Sequence, residues 1–505
     1  MMGKKVVETY TIEANKVSSK VEITEENDFV LHYNLRFPKI EKGTIILLNK
    51  IRSTLLTEIP IRTTELIEPT YLEKIKNEYL EKGLELLKKE LPMASDSLLN
   101  FLIGSLINDM FGLGKIELLL SDANLEEIVI NGSKNPVWVY HKKYGWLKTN
   151  LQIESENQIL NYANTIGRKV GRQITVLNPL MDAHLITGDR VNATLFPISS
   201  IGNTITIRRF RRSPWTITDF IQNKTLSYEV SAFLWLAIQY EMNIIIAGGT
   251  ASGKTSLLNV LMCFIPPNHR VISIEDTREL KLPEFLHWIP LTTREPNPEG
   301  LGEVTMLDLL VNSLRMRPDR IIVGEIRRSQ EAEVLFEAMH TGHSVYATLH
   351  ADTSEQAYKR LVNPPINVPE SVLEALHLIV VMFRDRRRGI RRLLQLTEII
   401  PTGEYGKASV SLNTIFRWKP VKDSIEQDSE SKRIVDELKM FTGMSDEEIK
   451  KDLENKISVL KWLVKNEVKD VNKIGKIISN YYLNSEKVLE LVNKDAKVDE
   501  VLVIE

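Results

Sequence analysis

The sequence predicts an α/β fold, and three observations carry that prediction. Apolar runs at 243–247, 270–274 and 320–323 are separated by helical segments, the rhythm of buried parallel strands joined by crossover helices. Strand-like runs broken by turns occupy about 115–210, and from about 426 Lys and Glu flank an apolar stripe of helical period. A length of 505 residues corresponds to about three to four domains, which excludes a single small binding module. Hydrophobic residues at 43% and charged residues at 26% lie outside the disordered regime. The net charge of −2 disfavours a globally basic nucleic-acid protein, although it permits local segregation of charge. Cys263 is the one cysteine, so neither an intrachain disulfide nor a cysteine-based zinc cluster can form.

Residues 1–110 form the first region. Its opening sixty residues alternate short β-rich runs, 29–33 and 44–48 among them, with polar breaks, which reads as a β-containing cap. Leu72, Ile75, Leu80, Leu84, Leu87 and Leu91 then recur at helical spacing between Pro69 and Pro92, predicting a helix over 71–91; a second apolar helix spans about 97–110. Residues 111–212 read as an α/β domain, with strands at 127–130, 137–140 and 204–208 and a turn at Asn131-Gly132. Ser213-Pro214 interrupts the pattern, and 213–226 reads as a linker. A strand–loop–helix rhythm fills 227–425. The last region, 426–505, is helical: Ile449, Leu453, Ile457, Leu460 and Leu463 make a stripe behind the capping-box pattern Ser445-Asp-Glu-Glu448. No apolar run approaches the roughly 20 residues that span a bilayer, and the N-terminal residues lack a signal-peptide core. A cytoplasmic location is expected.

The chemistry is concentrated in Gly248-Gly249-Thr250-Ala251-Ser252-Gly253-Lys254-Thr255, which fits G-x-x-x-x-G-K-[ST]. An apolar run enters this loop and a helical segment leaves it at Ser256. Glycines let backbone N–H groups curl around phosphate oxygens without Cβ clashes; Lys254 is placed to neutralise β/γ charge and Thr255 to ligate Mg²⁺. ATP and Mg²⁺ are therefore the expected ligands. Hydrolysis needs more: a carboxylate to orient water, another to support the metal, and a cation on the γ-phosphate. Glu275 follows the 270–274 run and is the candidate water-orienting base, with Asp276 and Glu279 as competitors. Glu325 follows 320–323 and is the candidate metal-side carboxylate, acting through water. Both stand at strand ends, where ligands gather in an open α/β sheet. His343 and His350 flank the strand-like run 344–349, and their odd spacing puts them on opposite faces. A shared metal is disfavoured, so they read as γ-phosphate sensors or hydrogen-bonding couplers.

With these residues in place, the sequence resembles the hexameric secretion ATPases of type II and type IV systems, which include type IV pilus and archaellum motors. Four boxes carry the resemblance in order: 248–255, the acidic run 274–280, the stretch 314–325 ending in Glu325, and 341–351 with its two histidines. It covers about 110–425. It implies a RecA-like P-loop ATPase domain, an N-terminal α/β domain that lends arginines to the ATP site, a homohexamer, and a polytopic inner-membrane platform protein as partner. Arg190 and Arg208 are the implied arginine fingers; domain closure would set their guanidinium forks on the γ-phosphate. The implied work is assembly of a pilus-like filament or protein secretion, at the inner face of the cell membrane, with an archaellum motor as the alternative. The single cysteine departs from members that carry a four-cysteine zinc module. No AIRNLIRE-like stretch of the retraction motors is present, and 293–303 looks more like tight-adherence and archaeal members. These features favour an archaeal-type extension motor.

The densest cationic segment, 383–392, lies between β-like runs at 378–382 and 393–396 and reads as a hairpin with a basic tip. Acidic platform loops, an anionic membrane surface or nucleic acid would suit such a tip; a solvated turn is the plain reading. Two rival functions are a RecA-type nucleic-acid translocase and a non-hydrolysing nucleotide-gated scaffold. The secretion-type acidic and histidine boxes argue against the first, and Glu275 with Glu325 against the second.

Overall fold

Strands that are buried along their whole length organise the second half of the chain, and they fold as a body separate from the first. The computed structural model describes all residues except 1–4, 27, 37, 39, 60–68, 186–187, 210–213, 297–299, 404–408 and 504–505. The chain divides into two units, Met1–Arg212 and Ser213–Glu505. No described helix is long and apolar enough to cross a membrane.

In the first unit, β1 (Lys5–Ala14), β2 (Val17–Glu25), β3 (His32–Arg36), β4 (Leu125–Asn131), β5 (Pro136–His141), β6 (Gly145–Gln152), β7 (Leu180–His184), β8 (Arg190–Thr194) and β9 (Thr204–Arg208) form one sheet. Their order is β1-β2-β3-β6-β5-β4-β9-β8-β7, and β3–β6 is its parallel pair. The sheet and its core, from Ile12 to Ile207, run through position 110/111, where the sequence reading sets a boundary. Residues 44–48 are not a strand but part of the helix Lys42–Glu58. The reason is periodicity beyond the run: Leu48, Ile51 and Leu55 are buried at helical spacing while Ile46 is 72% exposed. The strand read at 29–33 begins instead at His32. The two following helices are Pro69–Glu90 and Asp96–Phe111, the second capped by Ser95 Oγ, which accepts from Leu98 N at 3.3 Å.

In the second unit, β10 (Ile244–Gly248), β11 (Arg270–Glu275), β12 (His287–Thr292), β13 (Arg320–Val323), β14 (Ser344–Leu349), β15 (Leu378–Asp385), β16 (Ile390–Pro401), β17 (Val410–Lys419) and β18 (Ser424–Gln427) form the other sheet. The order is β12-β11-β13-β14-β10-β15-β16-β17-β18. The first six run parallel and the last three extend the edge antiparallel. Every residue of β10, β13 and β14 is buried, and β10 and residues 321–323 of β13 accordingly read as unbroken apolar runs rather than alternating ones. The stretch taken as a linker, 213–226, is corrected by the structure. Ser213 lies outside the described residues, but Ile217–Gln222 is a helix with a Thr216–Asp219 capping box, and Ile217, Phe220 and Ile221 are buried.

The C-terminal helices share the core of this unit. Helix Asp446–Lys465 opens on the Ser445–Glu448 capping box and buries Ile449, Leu460 and Leu463; it packs on helix Tyr228–Gln239. Trp235 of that second helix stacks on Phe264 at 5.2 Å and donates to Tyr482 Oη at 2.7 Å. Lys456 is fully buried beside it, 5.5 Å from the Trp235 ring and 5.3 Å from the Tyr481 ring. Its ammonium pairs with Asp452, which also accepts from Tyr481 Oη at 2.9 Å. Burial pushes the Lys456 pKa down and Asp452 opposes that shift. Removing Asp452 leaves an uncompensated ammonium at full burial, which costs about 3–5 kcal/mol, whereas removing the ammonium leaves a carboxylate that is 18% exposed and still accepts from Tyr481. Denaturant unfolding should therefore show Asp452→Ala losing several kcal/mol and Lys456→Met much less; equal losses would contradict this.

Candidate functional site

The loop after β10 is shaped by backbone conformations that favour glycine. Gly248 has φ 152° and Gly253 φ 97°. A Cβ on Gly248 would stand 2.5 Å from both Met382 O and Ser252 Oγ, and one on Gly249 would stand 2.9 Å from Asp352 Oδ1. The glycines thus admit close approach of the loop to β15 and to the segment after β14. Helix Lys254–Leu261 follows directly, with Thr255 and Ser256 half-buried in its first turn and Thr250 exposed in the loop.

Lys254 is 8% exposed. Its ammonium donates to Gly248 O at 3.0 Å and Gly249 O at 3.1 Å, and meets His350 Nδ1 at 3.2 Å. An ammonium only donates, so Nδ1 accepts and the imidazole proton sits on Nε2. That nitrogen faces Glu325 Oε1 at 3.1 Å. Burial and the Lys254 charge hold the His350 pKa below its ordinary value, which keeps the ring neutral at neutral pH. Burial likewise lowers the Lys254 pKa, opposed by Glu325 and Asp352. Strand order explains the meeting: β14 lies between β13 and β10, so the residue after β14 stands between those after its neighbours.

The second oxygen of Glu325 accepts from Arg327, at 2.9 Å from Nη2 and 3.1 Å from Nε. Arg327 Nη1 also donates to Asp276 Oδ2 at 2.6 Å, and Asp276 Oδ1 accepts from Thr293 Oγ1 at 3.2 Å. Glu275 is buried. Its Oε1 accepts from the amides of Glu279 at 2.9 Å and Leu280 at 3.2 Å. Burial, with the Glu279 charge adding to it, raises the Glu275 pKa to about 7. Glu279 therefore enters through its backbone, while the Asp276 carboxylate is engaged by Arg327 and Thr293.

The structure brings Lys254, Glu325 and His350 together and leaves His343 elsewhere. His343 precedes β14, with Nδ1 3.2 Å from both Ala338 O and Thr341 Oγ1. Seven residues of strand at ~3.3 Å each put it on the order of 20 Å from His350. His343 is therefore not part of the Lys254–His350–Glu325 cluster within the chain; the spacing argument separated the two faces of the strand but not its two ends. Arg190 and Arg208 lie in the first unit, directly opposite each other in the β8–β9 register, with Glu127 opposite Arg208 on β4. Sequence reasoning missed Arg327, Asp352 and Arg391. Arg391 belongs to the 383–392 hairpin, which forms between β15 and β16, and its Nε donates to Ala251 O at 3.2 Å. Arg392 in the same hairpin is buried and holds Asp423 at 2.7 and 2.8 Å. The neighbouring signal was present: β15 pairs with β10, so a hairpin from β15 borders the loop. Of the 293–303 stretch, 297–299 lie outside the described residues.

Two buried oxygens, Ser252 Oγ and Glu275 Oε2, have no hydrogen-bond partner among the described residues. With the glycine cradle and the Lys254 ammonium, they fit a phosphate and its attacking water. Glu275 also has a consequence for stability. Its ordinary pKa is 4.5 and the folded value about 7, so the folded chain prefers the protonated form. Ionised Glu275 costs nothing below about pH 4.5 and its full penalty, on the order of 3 kcal/mol, above about pH 7. Glu275→Gln should raise the unfolding midpoint relative to the parent at pH 8, with the difference vanishing near pH 4.5; a pH-independent difference would contradict the burial account.

A family model described as "Type II/IV secretion system protein" matches residues 182–467, more than half of the chain. An uncharacterized protein of Methanocaldococcus jannaschii is 38% identical over 389 residues, 76% of this chain and 69% of that protein. The type IV secretion system protein PtlH of Bordetella pertussis is 30% identical over 54% of this chain and 89% of its own length. Among solved structures, the Legionella pneumophila ATPase DotB is 20% identical over 74% of this chain and 93% of its own, with a TM-score of 0.40, a likeness too loose to carry an argument. On the extent of the family match and the identity to its relatives, the chain belongs to the type II/IV secretion system protein family.

Proposed function

We propose that this chain hydrolyses ATP as a homohexamer and couples turnover to assembly of a type IV pilus-like filament, or to protein secretion, through a polytopic membrane platform protein. The observation that carries the reading is the run of contacts Lys254–His350–Glu325 at the mouth of the glycine loop. Family membership supports it. The loop amides and the Lys254 ammonium bind the phosphates, because charge-assisted contacts to phosphate oxygens outweigh those Lys254 now makes to carbonyls. Mg²⁺, when bound, would supply positive charge that neutralises the triphosphate. Thr255 and, through water, Glu325 would hold it; among the described residues no cluster of three or more His, Cys, Asp or Glu is set to do so alone.

Glu275, with a pKa near 7, is matched to deprotonating water at neutral pH. His350 couples the two sides: when Lys254 turns toward phosphate, Nδ1 loses its donor and the Nε2 contact to Glu325 is free to change. Arg190 and Arg208, cross-strand neighbours, act as a pair of arginine fingers from the N-terminal unit, and their guanidinium groups stabilise transition-state charge. The tip of the basic hairpin at 386–388 is exposed and suits an anionic membrane surface at the inner face of the cell membrane.

Lys254→Ala should abolish ATP binding, whereas Glu325→Gln should retain it and lose turnover by about 10²-fold or more. Arg208→Ala should slow turnover with little change in nucleotide affinity. Wild-type turnover should rise with pH through about 7, because the base is active only when deprotonated, and Glu275→Gln should flatten that rise. Wild-type rates in Glu325→Gln would sink the metal-side assignment. Steeply salt-dependent stimulation by single-stranded DNA, without stimulation by anionic vesicles, would replace secretion by translocation.

A further inference from the structure

Both oxygens of Glu325 are engaged within the chain. Oε1 faces His350 Nε2 at 3.1 Å, and Oε2 accepts two N–H groups from Arg327. The same guanidinium reaches Asp276 Oδ2 at 2.6 Å. One side chain thus ties the end of β13 to the segment after β11, across two carboxylates that would otherwise repel each other and a triphosphate.

We propose that Arg327 is a positioning residue that occupies Glu325 Oε2 and Asp276 in the place of a divalent cation, and that its release frees Glu325 for Mg²⁺ when nucleotide enters. The proposal rests on the nucleotide reading above. Two observations make Arg327 the partner that lets go. Its side chain is 57% exposed while that of Glu325 is 19% exposed, so solvent is open to the guanidinium. Its backbone is fixed independently: the amides of Arg327 and Arg328 both donate to Glu331 Oε2, at 3.0 and 3.1 Å, in the capping box of helix Ser329–His340. The side chain can therefore leave without moving its base.

Before metal arrives, the guanidinium neutralises carboxylate charge at the place where triphosphate approaches; afterwards the dication does so. Arg327 should therefore favour metal-free nucleotide binding and compete with Mg²⁺. The experiment measures the Kd of N-methylanthraniloyl-ATP on the full chain, in EDTA and across a Mg²⁺ titration. Arg327→Ala should weaken metal-free binding about tenfold, the scale of one charge-assisted contact. Binding at saturating Mg²⁺ should change less than about threefold, and half-maximal tightening should need less Mg²⁺. Arg327→Lys keeps the charge and loses the bidentate fork; it should shift the metal-free Kd the same way by a smaller factor, and it carries the test should Arg327→Ala not fold. Equal changes with and without Mg²⁺, or none in either condition, would overturn the proposal. Lys254→Ala separates the two layers: if it binds nucleotide as well as the parent does, the nucleotide reading itself has failed. If it abolishes binding while Arg327→Ala behaves as the parent, only the role of Arg327 has failed.

Discussion

The buried ammonium of Lys254 is the constraint around which the second unit is arranged. A cation at 8% exposure must be satisfied locally, and here two loop carbonyls and one imidazole nitrogen do so. Among the described residues no carboxylate bonds it directly; the charges of Glu325 and Asp352 act on it through space. The ammonium is therefore held by neutral acceptors that a phosphate outcompetes. Glycine at 248 is required because a Cβ there would meet the Met382 carbonyl and Ser252 Oγ, and glycine at 249 leaves room for Asp352. Neutral His350 is required because only an unprotonated Nδ1 accepts from Lys254.

Sheet topology carries this local chemistry outward. With β14 between β10 and β13, and β13 beside β11, four strand ends place the loop, His350, Glu325 and Glu275 in lateral sequence. Arg327 closes the series by joining Glu325 to Asp276. The C-terminal helices stabilise the layer behind it: Trp235 packs between Phe264 and Tyr481, so the helix before β10 is held by elements more than two hundred residues away in sequence. In the first unit the two candidate arginine fingers share one register position, an arrangement that presents two guanidinium groups together.

Legibility in the sequence followed how local each feature is. The glycine loop, Lys254 and Thr255 were readable because their spacing alone defines a strand–loop–helix turn, and Ser445–Glu448 because a capping box is complete within four residues. Strands β10 and β13 were readable because burial on both faces leaves a short apolar run. The run 44–48 misled because its composition favours a strand, whereas the deciding residues, Ile51 and Leu55, lie beyond it. His343 misled because a motif written as one box spans a whole strand and so reaches both ends of the sheet. The linker misled because Ser-Pro punctuation hid the short helix that begins at Ile217 behind its Thr216 cap. Arg327 and Arg391 were invisible as site residues because their roles depend on which strands are neighbours, and strand order is not written in any local window.

If a neutral His350 couples Lys254 to Glu325, a double-mutant cycle on turnover will register it. His350→Ala, Glu325→Gln and the double variant are compared with the parent for kcat, after nucleotide affinity is measured for each. Residues acting as one unit are non-additive, so the double variant should be no slower than Glu325→Gln alone. Effects that multiply would show two independent contributions, and the contact chain from Lys254 to Glu325 would then have no catalytic meaning.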